Sequence, residues 1–199
     1  MLVTYGHGTE SPERTVSLLR AAQVRLVVDI RIAPGSARNP QFARPELERW
    51  LPEAGISYRW DKRLGGYRKP SAGNPDIAWR QDMYRGYAEH MRGSQFLAAI
   101  DAVLADTALA GTALADTALA GTALAGTAAA PHRVAVMCSE SSWQHCHRRL
   151  VADYAQVARG VPVRHLTHDA TLAAHVPSPG LRVRDDGLLI YDGGQAPLL

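Results

Sequence analysis

The chain has 199 residues, of which 46% are hydrophobic, and a formal net charge of +3. This length accommodates one domain with a full core, and the mild positive charge permits contact with nucleic acid without indicating it. Two cysteines are too few for a disulfide framework, no signal-peptide pattern opens the sequence, and outside one alanine-rich repeat no apolar run reaches the ~18 residues of a membrane span. We therefore expect a cytoplasmic protein with reduced thiols and no membrane partner.

Short apolar runs alternate with segments of helical spacing along most of the chain. Ser11 followed by Pro12 is typical of a helix start, and Asp186–Gly187 between two apolar runs indicates a hairpin. In chain order we predict strand 2–6, helix 12–23, strand 25–30, helix 44–55, strand 56–60, helix 94–106, strand 133–138, helix 146–160 and strand 161–166. This alternation predicts an α/β fold, a three-layer sandwich with a mostly parallel sheet of about five strands, plus a C-terminal hairpin.

We predict a single domain over residues 1–199, with a low-complexity insert at 105–130 and a C-terminal extension at 168–199. Within the insert, residues 107–126 read "TALAGTALADTALAGTALAG", a five-residue repeat. Five-residue steps turn a helix by about 140°, so the leucines would spiral around it rather than form one stripe. The copies are too few for a pentapeptide β-helix. We interpret the repeat as a tolerated expansion that lengthens a helix or a loop and has no catalytic role.

Polar side chains accumulate where the predicted strands end. The segment 137–149, "MCSESSWQHCHRR", holds both cysteines, a carboxylate, two histidines and two arginines. Because the carboxyl ends of parallel strands lie along one edge of a sheet and ligands bind outside that edge, we expect these groups to share a cleft with residues that follow the first two strands. The full set of candidates is His7, Arg31, Ser36, Arg38, Asn39, Cys138, Glu140, Cys146, His147 and Arg148.

Four of these residues are catalytic candidates. Cys146 lies at a predicted helix start, where free N–H groups and the helix dipole stabilise a thiolate, and Cys138 lies at a strand end; either could be a nucleophile. Glu140 and His7 are the candidates for acid–base chemistry. The structural alternatives are a cysteine that packs as a small buried hydrophobe and a histidine bonded to the backbone of its turn.

The other six residues are candidates for binding an anionic substrate. Arg31 with Ser36 and Arg38 suits a phosphate or a carboxylate, because guanidinium groups make forked contacts to these anions. Asn39, His147 and Arg148 are expected at the same edge. The alternative for Arg31 is an internal ion pair with Asp29 that braces the loops.

Metal binding is a further possibility for the cysteines and histidines. Cys138, Cys146, His147 and His7 are zinc-type ligands. However, two cysteines separated by seven residues, the second followed by histidine, do not form a standard zinc pattern. We predict no metal site, and the sequence identifies no cofactor.

Several motifs resemble the bacterial and archaeal domain-of-unknown-function family 488. They are "TYGHGT", "LVVDIRIAPGSARNPQF", "LGGYR", "YRGYAEHM" and, most specifically, "MCSE…CHRRLVAD". The resemblance runs from about residue 2 to about residue 167 and implies an α/β sandwich without an established activity. A fainter similarity links "LVVDIR" and the strand, cysteine loop and helix from "VAVMCSE" onward to rhodanese-like domains, in which the strand-end cysteine is the nucleophile; Cys138 matches it.

Two functions fit these patterns. The first is a thiol-dependent enzyme that acts on a small anionic substrate bearing a phosphate or a nucleotide. The second is a nucleic-acid-binding or regulatory module without catalysis, in which loop arginines contact phosphates and aromatic side chains stack on bases. The aromatic candidates are Tyr58, Trp60, Tyr67 and Trp79.

Overall fold

The structure, a computed structural model, describes residues 1–35, 37–119 and 132–194, and only the backbone of 111–119. Its main sheet has six strands in the order β3-β2-β4-β1-β5-β6. All neighbours are parallel except β6, which runs antiparallel to β5. The strands are β1 (Leu2–Gly6), β2 (Val24–Asp29), β3 (Ser57–Trp60), β4 (Arg133–Cys138), β5 (Val163–Leu166) and β6 (Leu172–Ala174). The mostly parallel sheet is confirmed, with one additional edge strand that was too short to predict.

The sheet is accompanied by five helices: α1 (Pro12–Ala21), α2 (Arg44–Glu53), α3 (Asp82–His90), α4 (Ser94–Leu119) and α5 (Arg148–Asp153). The side chain of Ser11 caps α1 by accepting a hydrogen bond from the backbone N–H of Arg14, which confirms the predicted helix start. Helix α3 was not predicted, and its interior contains Gly86, a residue that disfavours helices. Packing explains this glycine, because a Cβ there would overlap the backbone carbonyl of Arg68.

Helices cover both faces of the sheet, which confirms the three-layer architecture. Val3, Tyr5 and Val27 point to the face that packs against α1 and α2. Leu2 and Val28 point to the opposite face, which packs against α3, α4 and α5. This alternation follows from the two-residue period of a strand, and it explains why strands buried on both faces appear as continuous apolar runs.

The strand order opens a crevice at the carboxyl ends of the strands. From β1 the chain passes through α1 to β2 and through α2 to β3, and then reverses, so that β4 fills the gap between β2 and β1. In this register Cys138 lies beside Gly6, and Met137 lies beside Asp29. Ligand sites in open α/β sheets lie at such reversals, so the end of β4 is the expected location of a site.

The remaining segments are peripheral to the main sheet. Helix α4 continues into the alanine-rich repeat as far as Leu119, and the residues from 120 to 131 lie outside the described ranges. Strands β7 (Arg182–Val183) and β8 (Leu189–Ile190) form the predicted C-terminal hairpin. Within the described ranges, no helix combines the length and the hydropathy needed to cross a membrane. The division into a single domain with an insert and an extension stays a prediction.

Candidate functional site

A cavity opens at the carboxyl ends of β2 and β4. Its volume is about 390 Å³. Residues distant in the chain meet there, as expected where parallel strands end at one edge. Five of the candidate residues lie in its wall: Arg31, Cys138, Glu140, Cys146 and His147.

Two thiols and an imidazole form the floor of the cavity. We call Cys138, Cys146 and His147 the thiol cluster, because two sulfur atoms and a ring nitrogen of these residues all lie within 4.8 Å of one another. The Nδ1 atom of His147 is 3.9 Å from Cys138 Sγ and 3.7 Å from Cys146 Sγ. Both cysteines are free, and only 7% of Cys138 and 3% of Cys146 is exposed. A reagent therefore has to enter the cavity to reach either sulfur.

Neighbouring groups fix the orientation of the His147 ring. Nε2 donates a hydrogen bond to the carbonyl oxygen of Ile30 at 3.1 Å, which leaves Nδ1 of the neutral ring as an acceptor directed at the sulfurs. Tyr87 packs against the ring edge-on, with the centroids 5.1 Å apart. A Cβ at Gly66 would lie only 3.0 Å from Nδ1, so any side chain there would displace the imidazole.

Arg148 supports the cluster from behind the cavity wall. Its side chain is 1% exposed, and its Nε donates to Cys146 Sγ at 3.4 Å. Its Nη2 donates to the carbonyl oxygens of Glu140 and Ser141 and so closes the loop between β4 and α5. Gly6 leaves room for this arrangement, because an added Cβ would overlap the Glu140 carbonyl and the guanidinium. The positively charged guanidinium of Arg148 is therefore in direct contact with the Cys146 sulfur.

Helix α5 begins at Arg148, two residues later than predicted, and Cys146 precedes it in an extended conformation, with φ −124° and ψ 147°. The Cys146 carbonyl accepts a hydrogen bond from the backbone N–H of Arg149 at 3.0 Å. Burial opposes ionisation of Cys146, but a hydrogen bond from Cys138 and the charge of Arg148 outweigh it and lower the pKa of Cys146 to about 6. The same hydrogen bond, together with burial, raises the pKa of Cys138 to about 12. The contact with Arg148 therefore makes Cys146 the more acidic thiol of the pair.

Arg31 faces the cavity while it is paired with Asp29. Its Nε and Nη2 donate to the Asp29 carboxylate at 2.9 and 2.5 Å, and the Tyr58 hydroxyl donates to the same carboxylate at 2.8 Å. Asp29 is fully buried, whereas Arg31 lies in the cavity wall. The internal ion pair and the access of the guanidinium to the cavity therefore coexist.

His7 lies behind Arg31 and not in the cavity wall. Its Nε2 accepts a hydrogen bond from Arg31 Nη1 at 3.3 Å, its Nδ1 donates to the Gly8 carbonyl at 2.9 Å, and its ring stacks on Phe42 at 4.0 Å. Burial, followed by the charge of Arg31, lowers the pKa of His7 to about 4. Both nitrogens are occupied, and one of them is bonded to the turn backbone, so this position does not support the predicted acid–base role.

Comparison with known proteins identifies the family of the chain. The profile described as "Domain of unknown function DUF488" matches residues 11–116 and 109–155, which overlap within the repeat and together span more than half of the chain. The chain belongs to the DUF488 family. No curated protein and no solved structure matches it, and no comparison supports the similarity to rhodanese-like domains. The DUF488 match contains the whole thiol cluster and Arg31 but not β1 with His7.

Three candidates of this DUF488 protein for substrate binding do not lie in the cavity wall. Arg38 is exposed and Asn39 is half-buried in the loop after β2, and neither lines the cavity. Ser36 lies outside the described residues. Arg148 contributes through the Cys146 sulfur and not through the wall. Arg31 is therefore the arginine that a ligand in the cavity would meet.

The loop after β3 supplies wall residues that were not among the candidates for catalysis or anion binding. Gly66 and Tyr67 line the cavity, together with Met83 of α3. Tyr67 has a positive φ of 58° and is 83% exposed. The available signal was the glycine pair in "LGGYR", since glycine permits a close approach of backbone to a neighbouring side chain.

Among the described residues of this DUF488 protein, the thiol cluster is also the group whose side chains could together bind a metal ion. Two sulfurs and one imidazole nitrogen suit zinc with an open fourth position. Two features oppose a cation: the guanidinium of Arg148 contacts one sulfur, and that of Arg31 faces the same cavity. The absence of a metal site stays a prediction.

Proposed function

We propose that this protein is a thiol-dependent enzyme that acts on a small anionic substrate, with Cys146 as the nucleophile. The observation that carries the proposal is the position of the Cys146 sulfur, which contacts Arg148 and lies beside Cys138 and His147 at the floor of a cavity. The thiolate is the nucleophilic form of cysteine, and a guanidinium and a thiol donor both stabilise it. Packing alone requires no such convergence of polar groups.

The guanidinium of Arg31 is the wall group that favours an anion as the ligand. The described wall carries one guanidinium, from Arg31, two imidazoles, from His145 and His147, and one carboxylate, from the exposed Glu140. Asp29 fixes the orientation of Arg31 through Nε and Nη2, and the Phe42 carbonyl and His7 accept from two further N–H groups. The guanidinium therefore offers an anion its positive charge and the remaining N–H of Nη1. A volume of about 390 Å³ suits a small molecule.

In the proposed reaction, Arg31 binds the anionic group and the Cys146 sulfur attacks an electrophilic atom of the substrate. A bond from sulfur to that atom forms while its bond to the leaving group breaks, and the electron pair departs with the leaving group. Glu140 at the rim is the group proposed to transfer a proton to the leaving group. Cys138 and Arg148 stabilise the thiolate as hydrogen-bond donors.

Selective alkylation tests the nucleophile. In the native protein, iodoacetamide should label Cys146 with a rate profile centred on a pKa of about 6, while Cys138 stays unlabelled. Peptide mass spectrometry after a timed quench measures both sites. Cys146→Ser should reduce total labelling about 100-fold or more, because it removes the sulfur that the Arg148 guanidinium contacts.

The matched pair for this experiment is Arg148→Gln and Arg149→Gln. Arg148→Gln removes the guanidinium that contacts the Cys146 sulfur, and it should raise the pH at the midpoint of the labelling profile. The second changes the adjacent arginine, which lies over Trp79 and does not contact the cluster, and should leave the midpoint in place. A wild-type midpoint at the ordinary thiol value of about 8.5 would contradict the proposal.

Protection by an anion tests the substrate class. Sulfate or phosphate should slow the labelling of Cys146 in the wild type, at constant ionic strength set with chloride. Arg31→Lys should weaken this protection about tenfold or more, because a lysine ammonium does not keep the forked hydrogen bonds to Asp29 that hold the positive charge at the cavity wall. Arg63→Lys is the control, since Arg63 pairs with Asp61 at the same two-residue spacing but does not line the cavity. Equal protection in all three proteins would exclude Arg31 as the anion ligand.

The nucleic-acid-binding alternative stays a prediction. Of its four aromatic candidates, Tyr58 donates to Asp29, Trp60 donates to the Arg31 carbonyl, and Trp79 packs against Tyr84. Tyr67 is the exposed member of the four. Because the other three are engaged within the fold, the set does not provide a shared stacking surface, and we favour the enzyme.

A further inference from the structure

The Cys138 thiol could take part in a reaction that the proposed function does not include. Its sulfur lies within 4.8 Å of the Cys146 sulfur, and both residues line the same cavity. A nucleophilic cysteine needs no second cysteine for substitution chemistry. A second thiol beside it is needed when the first is oxidised, because it can then form a disulfide and release water.

We propose that Cys138 and Cys146 form a redox pair that reduces a small hydroperoxide, with Cys146 as the attacking thiol and Cys138 as the resolving thiol. The proposal rests on the proposed function, since it requires a nucleophilic Cys146, and it adds the substrate class. The cavity becomes the passage through which the hydroperoxide reaches the sulfur, and Arg31 favours hydroperoxides that carry an anionic group.

The first step oxidises Cys146. Its thiolate attacks the terminal oxygen of ROOH, an S–O bond forms, the O–O bond breaks, and the released alkoxide takes up one proton from solvent to become ROH. Cys146 is now a sulfenic acid. The guanidinium of Arg148, 3.4 Å from the sulfur through Nε, stabilises the thiolate before the attack.

The second step consumes the Cys138 thiol. Its sulfur attacks the Cys146 sulfur, an S–S bond forms, the S–O bond breaks, and the leaving hydroxide combines with the thiol proton to give water. The Nδ1 atom of His147, 3.9 Å from Cys138 Sγ, is placed to accept that proton and pass it on. In total, two cysteines are oxidised by two electrons, and one hydroperoxide becomes one alcohol and one water.

Burial selects this oxidant over a bulkier one. With 3% of Cys146 and 7% of Cys138 exposed, an attacking partner must present its reactive atom at the end of a narrow approach. The terminal oxygen of a hydroperoxide meets that requirement.

The backbone around Cys146 permits the disulfide. The two sulfurs have to approach to about 2 Å, the length of an S–S bond. Cys138 ends β4, but Cys146 lies in the loop between β4 and α5, outside any strand or α-helix. Its side chain can therefore rotate towards Cys138 without breaking a hydrogen bond of the sheet.

The experiment treats the reduced full-length protein with one equivalent of hydrogen peroxide, quenches it with iodoacetamide in denaturant, and maps the peptides by mass spectrometry. The wild type should form a Cys138–Cys146 disulfide, seen as a loss of about 2 Da and of both alkylation sites. Cys138→Ser and, as a second variant, Cys138→Ala should stop at the sulfenic acid of Cys146, a gain of about 16 Da, and a second equivalent of peroxide should convert it to the sulfinic acid, a gain of about 32 Da. Cys146→Ser should leave Cys138 unoxidised.

The outcomes separate this proposal from the one on which it rests. Rapid iodoacetamide labelling of Cys146 without disulfide formation would overturn the redox pair and leave the nucleophile intact. Slow labelling and no oxidation would overturn both. One zinc ion per chain in the purified protein, together with resistance of both thiols to peroxide, would also overturn the redox pair, because it would assign the cluster to metal binding.

Discussion

Replacing Asp29 with alanine should lower the free energy of unfolding by about 3–5 kcal/mol. The variant leaves the Arg31 guanidinium, 7% exposed, without its carboxylate, and it removes the acceptor of the Tyr58 hydroxyl. Burial costs a charged group its hydration, and without the carboxylate this desolvation is no longer compensated, so breaking a buried ion pair destabilises the fold strongly. Urea denaturation of the variant and the wild type, followed by circular dichroism, measures the difference.

The control for this variant is Glu48→Ala, which breaks an arginine–carboxylate pair on the surface of α2. Arg44 and Glu48 are 2.7 Å apart, but 44% and 47% of their side chains are exposed. Exposed pairs contribute about 0–1 kcal/mol, so a much smaller loss is expected. Equal losses in the two variants would show that burial does not set the strength of the Asp29–Arg31 pair. Asp29→Ala should also weaken the sulfate protection of Cys146, because Asp29 orients Arg31.

Acid should destabilise the protein before its carboxylates are protonated. The pKa of His7 is lowered to about 4 by burial and then by Arg31, and that of His165 to about 3 by burial and then by His175. The unfolded value is about 6.5, so the unfolded chain binds protons first as the pH falls. The stability from keeping these rings neutral is complete above about pH 6.5 and is lost progressively towards pH 4 and 3. Between about pH 7.5 and pH 5 we expect a loss of about 2 kcal/mol per histidine.

The pH slope of the free energy of unfolding checks this expectation. Urea denaturation at several pH values between about 7.5 and 5 gives the slope for the wild type. His7→Gln and His165→Gln should each flatten it, whatever they do to the absolute stability. His145→Gln changes an exposed histidine and should leave the slope unaltered. A slope unaffected by all three substitutions would assign the acid sensitivity to other groups.

The fold was largely predictable because buried strands and capped helices leave local signals. The apolar runs of β1 and β4 and the Ser11–Pro12 start of α1 appear in the structure at nearly the predicted residues. Helix α3 gave no comparable signal, because its Gly86 is explained by packing against the backbone of Arg68, a contact between distant residues. Strand β6 has three residues, too few for a periodic pattern.

The site was predictable in its location but not in the division of roles. Parallel strand ends bring Arg31 and Cys138 to one edge, and the sequence shows which residues follow each strand. The sequence does not show how deeply each side chain is buried. His7 and Arg38 also follow strands, yet His7 is buried behind Arg31 and Arg38 is exposed. The difference between the two cysteines depends on a hydrogen bond between them and on the direction of the Arg148 side chain, which only the folded chain defines.

The position of helix α4 keeps the repeat, where the length of the chain can vary, away from the thiol cluster. The helix runs into the repeat, and the chain re-enters the sheet at Arg133, the amino end of β4, whereas the thiol cluster sits at the carboxyl end of the same strand. A change in the number of pentapeptide copies beyond the buried Ala110 therefore falls at the end of β4 opposite the thiol cluster. The same segment is a place where a fluorophore or an affinity label can be inserted at a distance from the cavity.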